Sequence, residues 1–282
     1  MLKRSLARTL VTVTTALLPL LPLAAEEGVG FGKALATPRQ NAVLSGVVAV
    51  TRQMRLQGRT PVVIFDLDAT LFDAGCRHKA IFSELARTHR HLYPGMARQV
   101  AAWRPEDLPY AVEDMFAQLG LVGPHQHKHA YVFWKKRFFS NEYLRHDRPV
   151  CGAVGYVNAV QKAGGLIVYL TGREESQMYP GTVETIRSAG FPLGPGRGEL
   201  LMSLKSGVRD DQFKGSEKVQ QTINALGTVV ASFDNEPGNC NALQKSFPEA
   251  LTVLLDTNHS PKAPPVDAGI PMIGNFRWSW LP

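Results

Sequence analysis

The sequence predicts an α/β protein with a Rossmann-like parallel sheet and a helical insertion after the first strand. Short apolar runs recur along the chain, each with the length of a buried strand, and helical patterns separate the later ones. An alternation of strands and helices gives βαβ units with parallel strands and right-handed crossovers. The interval after the first run has amphipathic stretches but no strand pattern, which indicates an inserted helical segment.

The composition is that of an ordinary globular protein. Of its 282 residues, 44% are hydrophobic and 20% are charged, which excludes a disordered chain, a collagen-like repeat and a coiled coil. The formal net charge is +7, and three of the basic residues lie in the first 25 positions, which hold no acidic residue. Without these three residues, the surplus of positive charge is small and scattered along the chain, so we expect no nucleic-acid partner.

The first 25 residues have the pattern of a secretory signal peptide. Lys3, Arg4 and Arg8 form a basic start, residues 9–23 are uncharged and mostly apolar, and residues 24–25 are alanines that suit a cleavage site. The apolar run is short for a membrane span, which needs about 20 residues. An uncleaved membrane anchor is the alternative. We expect a soluble mature protein without a transmembrane segment, either periplasmic or secreted.

Five apolar runs are predicted to form the strands of the sheet, and three segments are predicted to form helices between the later strands. The predicted strands are residues 62–65, 166–170, 200–202, 229–233 and 251–255. The predicted helices are residues 174–188, 215–226 and 239–246.

Residues 75–150 are predicted to form the helical insertion. Amphipathic patterns cover residues 79–91 and 109–119. Residues 133–139 suit a helix with an apolar inner face and basic side chains directed to solvent. Three alternating histidines precede this helix and are expected in a solvated loop; they are His125, His127 and His129.

The three cysteines, Cys76, Cys151 and Cys240, lie too far apart in the sequence for a zinc site. Cys76 and Cys151 stand at the two ends of the insertion, so the core can bring them together as a disulfide in an oxidising compartment. Two unpaired buried thiols are the alternative.

Polar side chains follow three of the predicted strands at the point where each strand ends. Asp66 and Asp68 follow the first strand, Thr171 and Arg173 the second, and Asp234 the fourth. In an open parallel sheet, ligands bind beyond the carboxyl ends of the strands, so we expect these groups at one edge. Clustered carboxylates repel one another unless a cation lies among them, and oxygen ligands of this type suit Mg²⁺.

Four segments resemble the motifs of the haloacid dehalogenase (HAD) superfamily, in the order in which that family has them. Residues 66–70, Asp-Leu-Asp-Ala-Thr, match the DxDxT motif, and Thr171 closes a strand like the Ser or Thr of the second motif. Lys214 resembles the third motif, a lysine near the start of a helix, and Asp234 resembles the acidic fourth motif. The secreted acid-phosphatase-like group is the most similar, over residues 45–275.

The resemblance also implies how the chain is divided. Residues 26–74 and 151–282 are expected to form the HAD-like α/β core, after a signal peptide of residues 1–25. Residues 75–150 are similar to the cap that this family inserts between its first and second motifs for small substrates. The implied substrate is therefore a small phosphorylated molecule.

Covalent phosphoryl transfer is the reaction that the resemblance implies. Asp66 is the implied nucleophile, which attacks phosphorus and forms an aspartyl-phosphate. Asp68 is the implied acid that protonates the leaving alkoxide and the base that then activates water. Thr171 and Lys214 are the implied phosphate-binding groups, and Lys214 also neutralises charge on the nucleophile. Arg173 either binds substrate or fixes the loop through an ion pair.

A magnesium ion is implied by the same resemblance, with Asp66, Asp234 and the backbone carbonyl of Asp68 as its ligands. The ion would screen the attack of one anion on another. Many relatives have a second Asp four or five residues after the first acid of the fourth motif, where this chain has Gly238 and Asn239. The candidates for orienting metal-bound water are Asn235, Glu236 and Asn239.

The predicted function is an exported, Mg²⁺-dependent phosphomonoesterase. Dehalogenases expel halide, which needs no proton, whereas an alcohol leaving group needs an acid such as Asp68. Two alternatives stay open. One is a non-catalytic relative that binds a phosphorylated ligand or partner, and the other is a phosphotransferase that uses an alcohol acceptor.

Overall fold

The computed structural model describes residues 37–204 and 207–279. The strands are β1 (Pro61–Phe65), β2 (Phe72–Asp73), β3 (Arg148–Pro149), β4 (Leu166–Glu174), β5 (Gly198–Ser203), β6 (Thr228–Asp234), β7 (Leu251–Leu255) and β8 (Met272–Ile273). The α-helices are α1 (Pro38–Leu56), α2 (Gly75–Thr88), α3 (Met96–Ala102), α4 (Val112–Gln118), α5 (Pro124–Phe138), α6 (Ala153–Lys162), α7 (Glu175–Ser188), α8 (Asp210–Lys214), α9 (Glu217–Leu226) and α10 (Pro237–Ser246). Short 3₁₀ helices cover Pro105–Asp107 and Asn141–His146.

Six parallel strands form the central sheet, in the spatial order β5-β4-β1-β6-β7-β8. Every residue of β1 is buried. The chain builds outward from β1 through β4 and β5, and then crosses to the other side of β1 to add β6, β7 and β8. A reversal of this kind opens a crevice at the carboxyl ends of the strands beside it. The predicted α/β fold class with a parallel sheet is confirmed.

Several elements of the fold are absent from the sequence prediction, and β8, α1 and β3 show why. Strand β8 adds to the sheet beyond β7, and two residues are too few to give a strand pattern. Helix α1 has a mixed buried face that includes the polar side chains of Gln40 and Thr51, so no clear apolar stripe marks it. Strand β3 lies in the segment predicted to contain no strand, and it pairs antiparallel with β2 at the stem of the insertion.

Aromatic side chains pack against the end of β1, directly before the first motif. The ring of Phe65 stacks on that of Phe233 from β6, with centroids 4.9 Å apart. Tyr156 from α6 and Phe276 pack around this pair, with centroids 6.3 Å and 6.1 Å from Phe65. These contacts bury large apolar areas and fix the position at which β1 ends.

The insertion between β2 and β3 is helical and has a hydrophobic core of its own. Helices α2 to α5 direct their apolar faces toward one another, as the amphipathic patterns predict. The cluster includes Phe82, Met115, Phe116, Phe133 and Trp134.

The three alternating histidines lie in helix α5, and the prediction of a solvated loop is wrong. Pro124 takes the first helical position, where its fixed φ and missing N–H favour helix formation. Residues two apart on a helix do not share a face, so the three histidines do not form one cluster on the helix surface. His129 instead forms a hydrogen bond between its Nδ1 and the hydroxyl of Tyr93, at 2.7 Å.

The three cysteines are unpaired in the structure. Cys151 and Cys240 are buried, and Cys76 is partly buried. Cys76 and Cys151, at the two ends of the insertion, are therefore free thiols, as the alternative to a disulfide predicts.

In residues 37–204 and 207–279, no helix is both long and apolar enough to cross a membrane. The predicted signal peptide lies outside these residues.

Asp73, at the stem of the insertion, is buried with one unpaired carboxylate oxygen. Its Oδ1 accepts a hydrogen bond from the backbone N–H of Gly75 at 2.6 Å, whereas Oδ2 has no partner. Burial raises the pKa of Asp73 to about 6; the hydrogen bond from Gly75 opposes this shift, and Asp147 and Glu106 add to it.

Because of Asp73, the free energy of unfolding is expected to fall as the pH rises. A carboxyl group with a raised folded-state pKa contributes stability below its ordinary pKa of 3.8, and this contribution is lost as the pH passes through about 6. Asp73→Asn should reduce the loss of unfolding free energy between about pH 4.5 and about pH 7.5 by about 2 kcal/mol. Urea denaturation measures it, with the exposed Asp114→Asn as control. Parallel pH profiles for wild type and Asp73→Asn would contradict the expectation.

Candidate active site

The chain turns sharply after β1 and places two aspartates at the edge of the sheet. The backbone N–H of Asp66 donates to the carbonyl of Phe233 at 2.9 Å, which continues the pairing with β6. The carbonyl of Leu67 then accepts three hydrogen bonds from the residues that follow, and Ala69 has a φ of 58°. A non-glycine residue in this left-handed region stores local strain, which is concentrated at functional sites. Asp66 and Asp68 line one cavity as a result.

Lys214 is fully buried and joins three carboxylates. Its Nζ lies 2.7 Å from Oδ1 of Asp66, 2.7 Å from Oδ2 of Asp234 and 2.9 Å from Oδ2 of Asp210. Asp66 follows β1, Asp234 ends β6, and α8 carries Asp210 and Lys214 at its two ends. The structure therefore brings the first, third and fourth predicted motifs together. We refer to these four side chains as the Lys214 cluster.

The Lys214 cluster has more negative charge than one ammonium group can neutralise. Three carboxyl groups face a single lysine. Burial raises the pKa of Asp66 well above its ordinary value; Lys214 opposes this, and the neighbouring Asp234 and Asp210 add to it. Burial also raises the pKa of Asp234. The buried Oδ1 of Asp210 has no hydrogen-bond partner. These features indicate a shortage of positive charge at the cluster.

Asp68 lies against two buried arginines. Arg173 donates from Nε to Oδ2 at 2.7 Å and from Nη2 to Oδ1 at 2.9 Å, and Arg77 donates from Nη2 to Oδ1 at 2.8 Å. Burial alone would raise the pKa of Asp68, but Arg173 and Arg77 outweigh it and hold the pKa well below its usual range. Arg173 was expected either to bind substrate or to form an ion pair, and in this structure it forms the ion pair.

The second motif lies close to the third. Thr171 is buried, and its Oγ1 accepts a hydrogen bond from the backbone N–H of Arg173 at 3.2 Å. Gly172 follows, and a Cβ atom at this position would clash with Oδ1 of Asp210. Glycine therefore permits the close approach of the segment that carries Asp210 and Lys214.

Asn239 is the predicted water-orienting candidate whose side chain bonds to the Lys214 cluster. Its Nδ2 donates to Oδ2 of Asp210 at 2.7 Å and to Oδ1 of Asp234 at 3.0 Å. Asn239 thus holds these two carboxylates in fixed orientations. The side chains of the other two candidates bond elsewhere: Glu236 to Ser260 and Tyr110, and Asn235 to Thr70 and Asn258.

A cavity of about 1220 Å³ separates this edge of the sheet from the insertion. At its rim the core and the insertion are joined by a hydrogen bond, in which the Nδ2 of Asn258 donates to the carbonyl of Leu108 at 2.9 Å. The residues that the insertion contributes to the lining include basic side chains and five aromatic rings. The rings belong to Tyr110, Tyr131, Trp134, Phe138 and Phe139.

Three charged residues of the site escape sequence analysis: Asp210, Arg77 and Asp147. Asp210 precedes Lys214 by four residues, but this spacing is also that of an ordinary ion pair on a helix surface. Arg77 is one of several basic residues near the start of α2, and Asp147 lies in a segment without a pattern. Their burial and their partners follow only from the tertiary fold.

The chain is similar to several solved structures, although no protein-family model and no curated protein matches it. One is a HAD-superfamily hydrolase from Ehrlichia chaffeensis, with 11% identity over 77% of this chain and 93% of that chain and a TM-score of 0.45. Another is a haloacid dehalogenase-like hydrolase from Streptococcus pneumoniae, with 12% identity, coverage of 71% and 85%, and a TM-score of 0.43. A third is the class C acid phosphatase from Bacillus anthracis, with 16% identity, coverage of 72% and 66%, and a TM-score of 0.36.

Proposed function

We propose that the chain is a Mg²⁺-dependent phosphomonoesterase of the HAD superfamily, with Asp66 as its nucleophile and a small phosphorylated molecule as its substrate. The observation that carries the proposal is the Lys214 cluster, in which a fully buried lysine binds carboxylates at the ends of two parallel strands. Burying so many charges costs desolvation energy, and such groups with shifted pKa values beside a cleft are typical of catalytic sites. Asp68 and Thr171 lie at the same edge of the sheet.

Asp66 carries out the first displacement. Its Oδ1 is bound to Lys214, which leaves Oδ2 to attack phosphorus. As the bond from Oδ2 to phosphorus forms, the ester P–O bond breaks, and the leaving oxygen takes a proton from Asp68. Arg173 and Arg77 keep Asp68 ionised in the free protein, so this proton arrives with the substrate, whose phosphate has a second pKa of about 6.

Water completes the cycle. The ionised Asp68 accepts a proton from water, whose oxygen attacks phosphorus, and the bond to Asp66 breaks with release of inorganic phosphate. The hydroxyl of Thr171 is available to donate to a phosphoryl oxygen, because its oxygen already accepts from the backbone. Lys214 balances the charge on Asp66 when that carboxylate is released.

Mg²⁺ would be held by Asp66, Asp234 and the backbone carbonyl of Asp68. Within the described ranges 37–204 and 207–279, no group of three or more Asp, Glu, His or Cys side chains is arranged to hold a metal unaided. Mg²⁺ suits such a site, because it usually keeps several waters and binds through one or two carboxylates plus a substrate phosphate. When bound, the ion would neutralise charge between Asp66 and the phosphate. The surplus negative charge of the Lys214 cluster supports this assignment.

Asp210 takes the place of the second acid that the fourth motif lacks. The motif has Asn239 near the position where relatives have Asp, and the amide of Asn239 joins Asp210 to Asp234. The unpaired Oδ1 of Asp210 is then free to bind the ion or one of its waters.

Asp210→Asn is expected to weaken Mg²⁺ binding by about 10–100-fold, because the variant removes one negative charge from the Lys214 cluster. Asp211→Asn is the matched control, since Asp211 is adjacent in sequence but pairs with the exposed Arg209. Isothermal titration of each variant with Mg²⁺ measures the dissociation constants. Equal Mg²⁺ affinity for Asp210→Asn and wild type would remove Asp210 from the ion's site.

Phosphate release from a panel of nucleotides, sugar phosphates and lipid head groups tests the proposed function. We expect release with Mg²⁺ and none after chelation. Binding of phosphorylated molecules without release in Mg²⁺ would identify a non-catalytic relative. Transfer of the phosphoryl group to an added alcohol, in preference to water, would identify a phosphotransferase.

Export is a second part of the proposal, and it is supported by the N-terminal pattern alone. Residues 1–25 have the charge and apolar pattern of a signal peptide. N-terminal sequencing of the protein from periplasm or culture fluid is the test. A mature chain that begins near residue 26 is expected, and a protein that stays in the cytoplasm with Met1 intact would contradict it.

A further inference from the structure

Asp68 and three charged side chains behind it form a closed network. Asp147 accepts from Arg77 through both of its oxygens, at 2.7 Å from Nε and 2.5 Å from Nη2, and its Oδ2 also accepts from Nη2 of Arg173 at 2.9 Å. Each arginine also donates to Asp68. Both arginines are therefore shared between the same two carboxylates, and the network is electrically neutral.

Asp68 is by far the most exposed member of this network. The side chains of Arg77, Arg173 and Asp147 have exposed fractions of 1%, 3% and 0%, whereas that of Asp68 has 37%. The guanidinium of Arg77 also lies 4.5 Å from the ring centroid of Phe138, which excludes water from its other side. Three buried groups thus define the direction in which the Asp68 carboxylate meets a bound substrate.

The network also joins the two ends of the insertion to the core. Arg77 lies in the first turn of α2, where the insertion begins, and Asp147 lies directly before β3, where it ends. Arg173 belongs to β4 of the central sheet. Asp147 therefore fixes the positions of both arginines from the stem of the insertion.

We infer that Asp147 is a positioning residue for phosphoryl transfer, which acts on Asp68 through Arg77 and Arg173. Without its carboxylate, the two guanidinium groups have only Asp68 to share, and Arg77 loses the paired hydrogen bonds that fix its plane. Asp68 then loses the orientation that proton transfer to the leaving oxygen requires. The inference rests on the proposed function, because it assigns a role relative to Asp68.

Asp147→Asn tests the inference through the dependence on the leaving group. The first step with an alkyl phosphate should slow by about 10–100-fold, as for other residues that orient a reacting group. The first step with an aryl phosphate whose phenol is acidic should change by less than about threefold, because that leaving group needs little protonation. Rapid-quench kinetics with saturating Mg²⁺ measure both steps, and Asp114→Asn serves as an exposed control in the insertion.

A second variant covers the outcome in which Asp147→Asn does not fold. Arg77→Met combined with Asp147→Leu removes both partners of the buried pair and keeps the pair of Arg173 and Asp68, a change that buried ion pairs often tolerate. The same selective loss with the alkyl ester is expected.

Two outcomes separate the inference from the function on which it rests. An equal loss of the first step for alkyl and aryl esters, or no loss for either, would overturn the positioning role of Asp147 while leaving the phosphatase intact. A wild-type protein that releases no phosphate from any ester in Mg²⁺ would overturn the proposed function itself.

Discussion

Asp66→Asn is expected to lower phosphate release by about 10⁴-fold or more, because the variant removes the oxygen that attacks phosphorus. The protein should remain folded. Burial already raises the pKa of Asp66, so a neutral side chain of the same shape suits the site, and Lys214 keeps its bonds to Asp234 and Asp210. Steady-state phosphate release with Mg²⁺ measures the loss of activity, and circular dichroism with thermal denaturation confirms folding.

The control for Asp66→Asn is Asp211→Asn, a change of the same chemistry outside the Lys214 cluster. Asp211 pairs with the exposed Arg209, and its replacement should leave turnover near that of wild type. A folded Asp66→Asn protein that retains most of the wild-type rate would exclude Asp66 as the nucleophile.

Asp68→Asn has the second-largest expected effect, and that effect depends on the leaving group. Loss of the acid should slow the first step with an alkyl phosphate by about 10²–10⁴-fold, whereas an aryl phosphate with an acidic phenol should lose much less. The second step needs Asp68 as a base for either ester. The variant should therefore release phenol in a burst and then accumulate phosphoryl-enzyme, which rapid-quench measurement detects.

Steady-state rates alone would hide this behaviour, because both esters would be turned over slowly. Thermal denaturation accompanies the kinetics, since Asp68→Asn leaves Arg77 and Arg173 with Asp147 as their remaining carboxylate. An equal loss of the first step for both esters, without a covalent intermediate, would indicate that Asp68 holds the backbone or the metal and does not move the proton.

The sheet and the ends of its central strands are predictable from the sequence for a local reason. Buried parallel strands are continuous apolar runs, and a polar residue directly after such a run lies at the carboxyl edge of the sheet. Asp66, Thr171 and Asp234 follow this rule. Lys214 does not follow a strand, and its place in the cluster was indicated only by the order of the four motifs.

The contacts that surround these residues depend on pairs far apart in the chain. Arg77 meets Asp147 across 70 positions, and Arg173 meets Asp68 across 105. In the sequence, each of these residues looks like an ordinary charged surface residue. Arg77 and Asp147 become buried only when the stem of the insertion folds. No local pattern contains this information.

In helix α5, a local pattern of polar residues leads to a wrong prediction of a loop. The histidines of residues 125–129 favour solvent, but Pro124 starts a helix whose later side chains, Phe133 and Trp134, pack into the core of the insertion. Tertiary packing of one apolar stripe decides the conformation of the whole segment.

The central claim is that phosphorus becomes bonded to Asp66 during turnover. Asp68→Asn protein mixed with an activated aryl phosphate and Mg²⁺, quenched in acid and digested, gives peptides whose masses locate the phosphoryl group. We predict one phosphoryl group on Asp66, absent from the Asp66→Asn/Asp68→Asn double variant and absent when Mg²⁺ is chelated. A phosphoryl group on another residue, or a burst of phenol with no phosphoryl-enzyme at any time, would contradict the account.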